Sequence, residues 1–216
     1  MKIARGSVLG RVCRSLRIAP VALVLAFAST SWGQVRVVAY NITGLAGDQA
    51  ALKNVIASFH TDDVGGFAAP VGLFLLSEVH TTNVSALTTL INQAAPPGVT
   101  YALATYTGTT SQDGASGAEG AWYRTDLLSE VTSGFADMAT GGSRNTSRWL
   151  FQLNGYSSTA ARFYVYGSHL KASTGSTNVS TRLTGVQTIR ANSDALGAGV
   201  RAIYAGDMNF YTNTES

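Results

Sequence analysis

Four apolar stretches of this 216-residue chain each end on a side chain that can hold a cation, aim a hydrogen bond or move a proton. VRVVAYNI delivers Asn41, LFLLSEVH delivers Glu78, FYVYGSHLKA delivers His169, and IYAGDMNF delivers Asp207 and Asn209. Taken singly, each has an ordinary explanation. Asp and Asn end strands because they tolerate turn geometry or cap their own backbone. A glutamate can face a helix N-terminus, and a histidine at a strand end can be a satisfied structural group. Their joint occurrence is what points to a site. Where parallel strands lie side by side their carboxyl ends come together, and ligands collect at that edge.

The elements that must position these residues are legible from periodicity. Val35 to Tyr40 reads as a first strand, and Asp48 as the cap of a helix running to His60 with Leu52, Val55, Ile56 and Phe59 on one face. After a turn at Gly65-Gly66, Val71 to Leu76 is a continuous apolar run suited to a strand buried on both faces. Val84 to Ala94 reads as a second helix stopped by Pro96-Pro97. Tyr101 to Tyr106, Ala121 to Tyr123, Trp149 to Leu153 and Phe163 to Tyr166 are further strands, and Thr107 to Gly117 is a polar, glycine-rich loop. A helix over Val179 to Leu196 leads into a last strand, Arg201 to Ala205. Alternation at both ends around a strand-rich middle predicts one α/β layered domain over residues 34–216.

The first 33 residues read differently. Lys2, Arg5, Arg11, Arg14 and Arg17 precede an apolar core, Ile18 to Ala28, too short to span a bilayer, and Ser31-Trp-Gly33 offers small residues for cleavage. This is the pattern of a secretory signal cut near Gly33, so a secreted protein without stable membrane insertion is expected. Removing it takes five cations and no acid, leaving 15 − 5 = 10 Lys+Arg against 12 Asp+Glu. The mature charge is thus about −2, and binding of nucleic acid by bulk positive charge is disfavoured. The only cysteine, Cys13, also lies in the signal, so stability must come from a core rather than from disulfides.

In this order the four motifs resemble those of the endonuclease/exonuclease/phosphatase superfamily, the group that includes DNase I, over Val35 to the end of the chain. The resemblance implies a four-layer α/β/β/α sandwich, two sheets face to face with helices outside, and hydrolysis of phosphodiesters with a divalent metal, Mg²⁺ or else Mn²⁺ or Ca²⁺. It also implies roles. Glu78 and Asn41 hold the metal, Asp207 orients or activates water, Asn209 contacts metal or phosphate, and His169 donates a hydrogen bond to a phosphate oxygen. Glu119, in GAEGAWYR, matches the carboxylate that pairs with this histidine and favours its cation, and Arg144, in GGSRNTSR, matches an arginine that reaches the phosphate, with Arg148 as the nearby substitute. The chemistry suits the residue types: hard oxygen donors neutralise a repelling anion, and a guanidinium matches phosphate oxygens in pairs.

The resemblance further implies a pair of strands after Asp207-Met-Asn209 that close with a Ser-Asp-His motif. The sequence ends at Ser216 before any such motif, so a domain incomplete at its C-terminus is expected. The substrate is a phosphodiester, with DNA or RNA first in view, handled by a monomer. A phospholipid phosphodiesterase using Tyr106, Tyr156 and Tyr211 on its rim, or a secreted binding protein that keeps the scaffold without catalysis, are the alternatives; a nuclease would draw its positive charge from Arg144, Arg148 and Arg162.

Overall fold

Leu73-Phe-Leu-Leu76 is buried on both faces, as its unbroken hydrophobicity predicts, and this follows from where it lies. In the computed structural model, which describes residues 34–62, 69–108 and 117–212, it opens β2 (Leu73–Val79) near the middle of the first of two sheets. That sheet runs β1-β2-β4-β3, with β1 at Val37–Asn41, β3 at Tyr101–Leu103 and β4 at Ala118–Arg124. β1 and β2 are parallel, whereas β4 is antiparallel to both β2 and β3. The second sheet runs β5 (Leu128–Glu130), β7 (Asn145–Leu153), β8 (Arg162–His169) and β9 (Ala202–Asp207), with β6 (Ala136–Ala139) also paired to β7. Here β8 and β9 are parallel and β7 is antiparallel to β8.

Side-chain alternation then builds the layers. Phe74 and Leu76 face outward onto helices α1 (Gln49–Phe59) and α2 (Val84–Ala94), packing with Ile56, Leu87 and Ile91. Leu73 and Leu75 face inward and meet Trp149, Phe151 and Val165 of the second sheet. On that sheet's far side Tyr166 and Leu170 pack against Ile189 of α3 (Ser176–Ala195). The order is helices, sheet, sheet, helix: the four-layer α/β/β/α sandwich expected.

Local signals account for most boundaries. Asp48 caps α1 by accepting from the N–H groups of Ala50 and Ala51 at 2.8 and 3.2 Å, and α2 spans Val84–Ala94 as expected, ahead of Pro96. Val55 departs from the expected helical face and is 37% exposed, because Leu52, Ile56 and Phe59 form the stripe that faces the sheet and Val55 lies on its flank. β4 starts three residues earlier than expected, bringing Glu119 into a strand. β5 and β6 carry no alternating pattern and were not expected; pairing with β7 defines them. The expected signal over residues 1–33, the Gly65-Gly66 turn and most of the Thr107 to Gly117 loop lie outside the described residues. Among the described residues no helix is long and apolar enough to cross a membrane.

The parallel pairing of β8 with β9 sets Ser168 opposite Gly206 and His169 opposite Asp207. Gly206 adopts φ +131°, and a Cβ there would stand 2.0 Å from the Ser168 carbonyl oxygen. Gly206→Ala is therefore expected to cost about 2–4 kcal/mol of stability, as backbone strain and overlap add. Urea unfolding measures this, and a loss below about 0.5 kcal/mol, the size of an ordinary surface change, would show that the close approach does not constrain the strand.

Candidate active site

Strand direction gathers the expected residues at one end of the sandwich. β1, β2, β8 and β9 all finish there, delivering Asn41, Glu78, His169 and Asp207 at their carboxyl ends. The antiparallel strands β4 and β7 begin at the same end, so Glu119 is the second residue of β4 and Arg144 immediately precedes Asn145 of β7. Glu78 needs a further device to reach the site. The β2–β4 register slips by one residue between Leu76 and Val79, and Glu78 sits in this bulge with φ 63°. Room for the bulge comes from Gly117, where a Cβ would lie 2.5 Å from the Glu78 carbonyl carbon.

The centre is a knot of two carboxylates, an amide and an imidazole. Asn41 Nδ2 donates to Glu78 Oε1 at 3.0 Å and to Asp207 Oδ2 at 3.2 Å, so one amide nitrogen bridges acids from the two sheets. Its own Oδ1 accepts from the Thr43 N–H at 2.9 Å, which fixes the amide plane. His169 Nε2 lies 3.6 Å from Asp207 Oδ2 and 3.9 Å from Glu78 Oε1. The other Asp207 oxygen accepts from the Asn209 N–H at 3.1 Å, while Asn209 Nδ2 donates to the Leu170 carbonyl at 3.1 Å. Asn209 thereby ties the loop after β9 to the loop after β8.

Beside this knot lies a buried second tier. Glu119 is 3% exposed and its Oε2 accepts from the Ser77 hydroxyl at 3.0 Å, whereas Glu119 Oε1, His169 Nδ1 and Arg144 Nε are buried without a hydrogen-bond partner. Burial pushes the Glu119 carboxyl up to about 8, aided by Asp207 and Glu78 and opposed by Ser77 and Arg144. Burial likewise lowers His169, with Arg144 acting in the same direction, and the two carboxylates oppose this without overcoming it. Both groups are thus held toward their neutral forms. The expectation that Glu119 pairs with His169 and favours its cation differs from this arrangement: the hydroxyl of Ser77 takes the Glu119 bond, and desolvation outweighs the nearby charges. Ser77, 1% exposed, was not anticipated, since a serine next to a glutamate carries no distinctive pattern.

Other expected residues lie elsewhere. Arg148 is fully engaged in structure, donating to the Gly134 carbonyl at 3.1 Å and to Asn192 Oδ1 at 2.7 Å and lying over the Tyr164 ring, so it does not substitute for Arg144. Tyr156 belongs to the connection between β7 and β8 and Arg162 opens β8, both at the opposite end of the sandwich from His169. Tyr106 turns its hydroxyl to the Val79 carbonyl at 2.7 Å, and only Tyr211 of the three tyrosines is both exposed and next to the site. His60 is a buried histidine of the first sheet's helix-facing layer that accepts from the Val71 N–H at 3.2 Å.

Among the described residues no group of three or more His, Cys, Asp and Glu side chains is arranged to hold a metal ion. The donor set still fits one hydrated hard cation. Glu78 and Asp207 both present an oxygen to the single nitrogen of Asn41, and Mg²⁺ commonly binds through one or two carboxylates while keeping several waters. Ca²⁺, which takes six to eight oxygens, is less well served.

Two facing mixed sheets between helices form a DNase I-like α/β/β/α fold. Solved structures share it at low identity. D. rerio TDP2 complexed with a single-strand DNA product superposes with TM-score 0.58 at 16% identity, over 84% of this chain and 62% of that one. An endonuclease/exonuclease/phosphatase family protein from Bacteroides thetaiotaomicron gives 0.54 at 19%, over 81% and 63%. The human Nocturnin catalytic domain with bound sulfate anion gives 0.56 at 17%, over 82% and 66%. The chain therefore spans just under two thirds of the length of these solved chains. No family model and no curated protein matches the sequence itself.

The Glu119 shift has a sign that can be measured. Its folded value of about 8 stands above the ordinary 4.5, so between those pH values the unfolded chain releases a proton that the folded chain keeps. Stability from this group is full below about 4.5 and declines as pH rises through 8. Glu119→Gln keeps the shape and cannot ionise. Its melting temperature, relative to that of the native chain, should rise steadily from pH 5 to pH 8.5, by the equivalent of a few kcal/mol. Parallel pH profiles for the two proteins would mean that Glu119 ionises normally in the fold.

Proposed function

We propose that this protein is a secreted, Mg²⁺-dependent phosphodiesterase, nuclease-like in its chemistry. The observation that carries this reading is the convergence of Asn41, Glu78, His169 and Asp207 on one sheet edge, with both acids bonded to a single amide nitrogen. Glu78 and Asp207 would hold the metal, which when bound supplies positive charge to the phosphate and a more acidic water. Asn41, expected as a ligand, instead positions the two carboxylates, since its nitrogen donates to both and its oxygen is taken by the Thr43 N–H. Asp207 is placed to accept the proton of an attacking water, since Oδ1 is anchored by the Asn209 N–H and Oδ2 faces the site. His169 is kept neutral and directs Nε2 toward the same space, where its N–H can donate to a phosphate oxygen and relieve developing charge. Arg144, whose field reaches both Glu119 and His169, adds the cation that a phosphate requires. Glu119, held toward its neutral form and bonded to Ser77, adds no full negative charge beside the site.

Nucleic acid is the first substrate to test, supported by the DNA product in the D. rerio neighbour of the same fold. Export rests on the basic and apolar pattern of residues 1–33. A scaffold that binds without catalysis is the second reading, favoured by the Asn41 amide oxygen being taken by the Thr43 N–H rather than offered to a cation. The two separate cleanly. Single-stranded DNA, duplex DNA, RNA and bis(p-nitrophenyl) phosphate are offered to the intact protein with Mg²⁺ or with EDTA. Turnover is expected only with the metal, and His169→Ala or Asp207→Ala should lower it about 10²–10⁴-fold. Full activity in Asp207→Ala would remove the proposed base, and no turnover of any substrate would favour the binding scaffold.

A further inference from the structure

Arg182 is 1% exposed, projects from α3, and lies outside the knot of acids and imidazole. A buried guanidinium loses the hydration that normally offsets its charge, so its place in a fold has to be sustained by specific contacts. Those contacts lead to the site. Its Nη1 donates to the Lys171 carbonyl at 2.7 Å and to the Ser173 carbonyl at 2.8 Å, gripping the loop that follows His169. Its Cζ stands 5.2 Å from the centre of the Tyr211 ring. The Tyr211 hydroxyl accepts from the Ser173 N–H at 3.0 Å and reaches Asn209 Oδ1 at 3.4 Å. Asn209 in turn bonds the Leu170 carbonyl and the Asp207 carboxylate.

The backbone shows why such a brace is needed. Ser173 and Asn209 both adopt left-handed backbone, φ 81° and 51°; for Ser173 this costs roughly 1–2 kcal/mol, whereas asparagine tolerates the region more readily. Strained residues of this kind persist only where their surroundings over-determine them. Arg182 and Tyr211 supply that determination from opposite sides, one to the Ser173 carbonyl and the other to its N–H and to the Asn209 side chain.

We propose that Arg182, acting through Tyr211, is a positioning residue that fixes the two loops carrying His169 and the Asp207–Asn209 pair in their reactive geometry. The proposal deepens the phosphodiesterase reading and rests on it for its kinetic consequence, though not for its structural one. Arg182 touches no reacting atom. Its effect is on the placement of Asp207 and Asn209 relative to His169, and misplacement of a catalytic group by about 1 Å can cost on the order of 100-fold in rate.

Arg182→Met, Arg182→Lys and Tyr211→Phe are compared with the native protein in hydrolysis of bis(p-nitrophenyl) phosphate with Mg²⁺, and the Asn209 side-chain amide is followed by NMR. Arg182→Met should lower kcat about 10–100-fold with KM changed less than about threefold, and Arg182→Lys, which lacks the forked donors, should recover only part of this. Tyr211→Phe should lower kcat by a smaller factor and add little to Arg182→Met, because the two act as one unit. Each variant should shift the Asn209 amide resonance. If Arg182→Met lowers only the melting temperature, leaving kcat, KM and that resonance unchanged, Arg182 merely stabilises the fold and the proposal is overturned; multiplicative losses in the double variant overturn the link through Tyr211. Should Arg182→Met fail to fold, Arg182→Lys and Tyr211→Phe decide by the same readings. Should the native protein cleave nothing, the phosphodiesterase reading fails, and the amide resonance alone decides whether the brace exists.

Discussion

Two carboxylates, one from each sheet, are held so close that a single amide nitrogen bonds both. Like charges at such a distance repel, and in a partly buried setting the repulsion is poorly screened. The sandwich has to supply what opposes it. Asn41 contributes the N–H donors, the Asn209 backbone takes the outer oxygen of Asp207, and Arg144 adds positive field from the start of β7. The facing of the two sheets is therefore more than a way to bury Trp149 and Phe151. It is the arrangement that brings β2 and β9, distant in sequence, to a common edge, where a hard cation or a phosphate would find opposite charge and aimed donors.

The same edge concentrates backbone strain. Among the described residues, the non-glycine positions with positive φ are Thr43, Leu45, Glu78, Ser173 and Asn209, and every one lies in or just beyond β1, β2, β8 or β9 at the site end. Thr43 holds the amide plane of Asn41, Glu78 is aimed by its bulge, and Asn209 connects the last two loops. Local conformations that cost free energy are tolerated here because they place side chains that relaxed strand ends would leave pointing into the core or away from it.

Glycines make the second tier possible. Gly167 leaves space for the Trp149 ring and lies beside the Cβ of Glu119, and Gly120 accommodates Trp122. Between these large rings and the open edge, Glu119 and His169 are dry enough to favour their neutral forms.

Much of this was written in the sequence. Continuous hydrophobicity defined β2, helical spacing and the Asp48 cap defined α1, and proline ended α2, because these signals depend on local backbone and burial alone. Motif order identified Asn41, Glu78, His169 and Asp207, since strand ends are where polar residues can escape the core. The sequence did not disclose β5 and β6, whose three and four residues exist through pairing with β7. It did not disclose the bond from Ser77 to Glu119, the structural engagement of Arg148, or the buried brace of Arg182 and Tyr211. Those are decided by which surfaces meet when the sheets close. A residue's type limits what chemistry it can do, but its desolvation and its partners, and so its charge, are properties of the folded assembly.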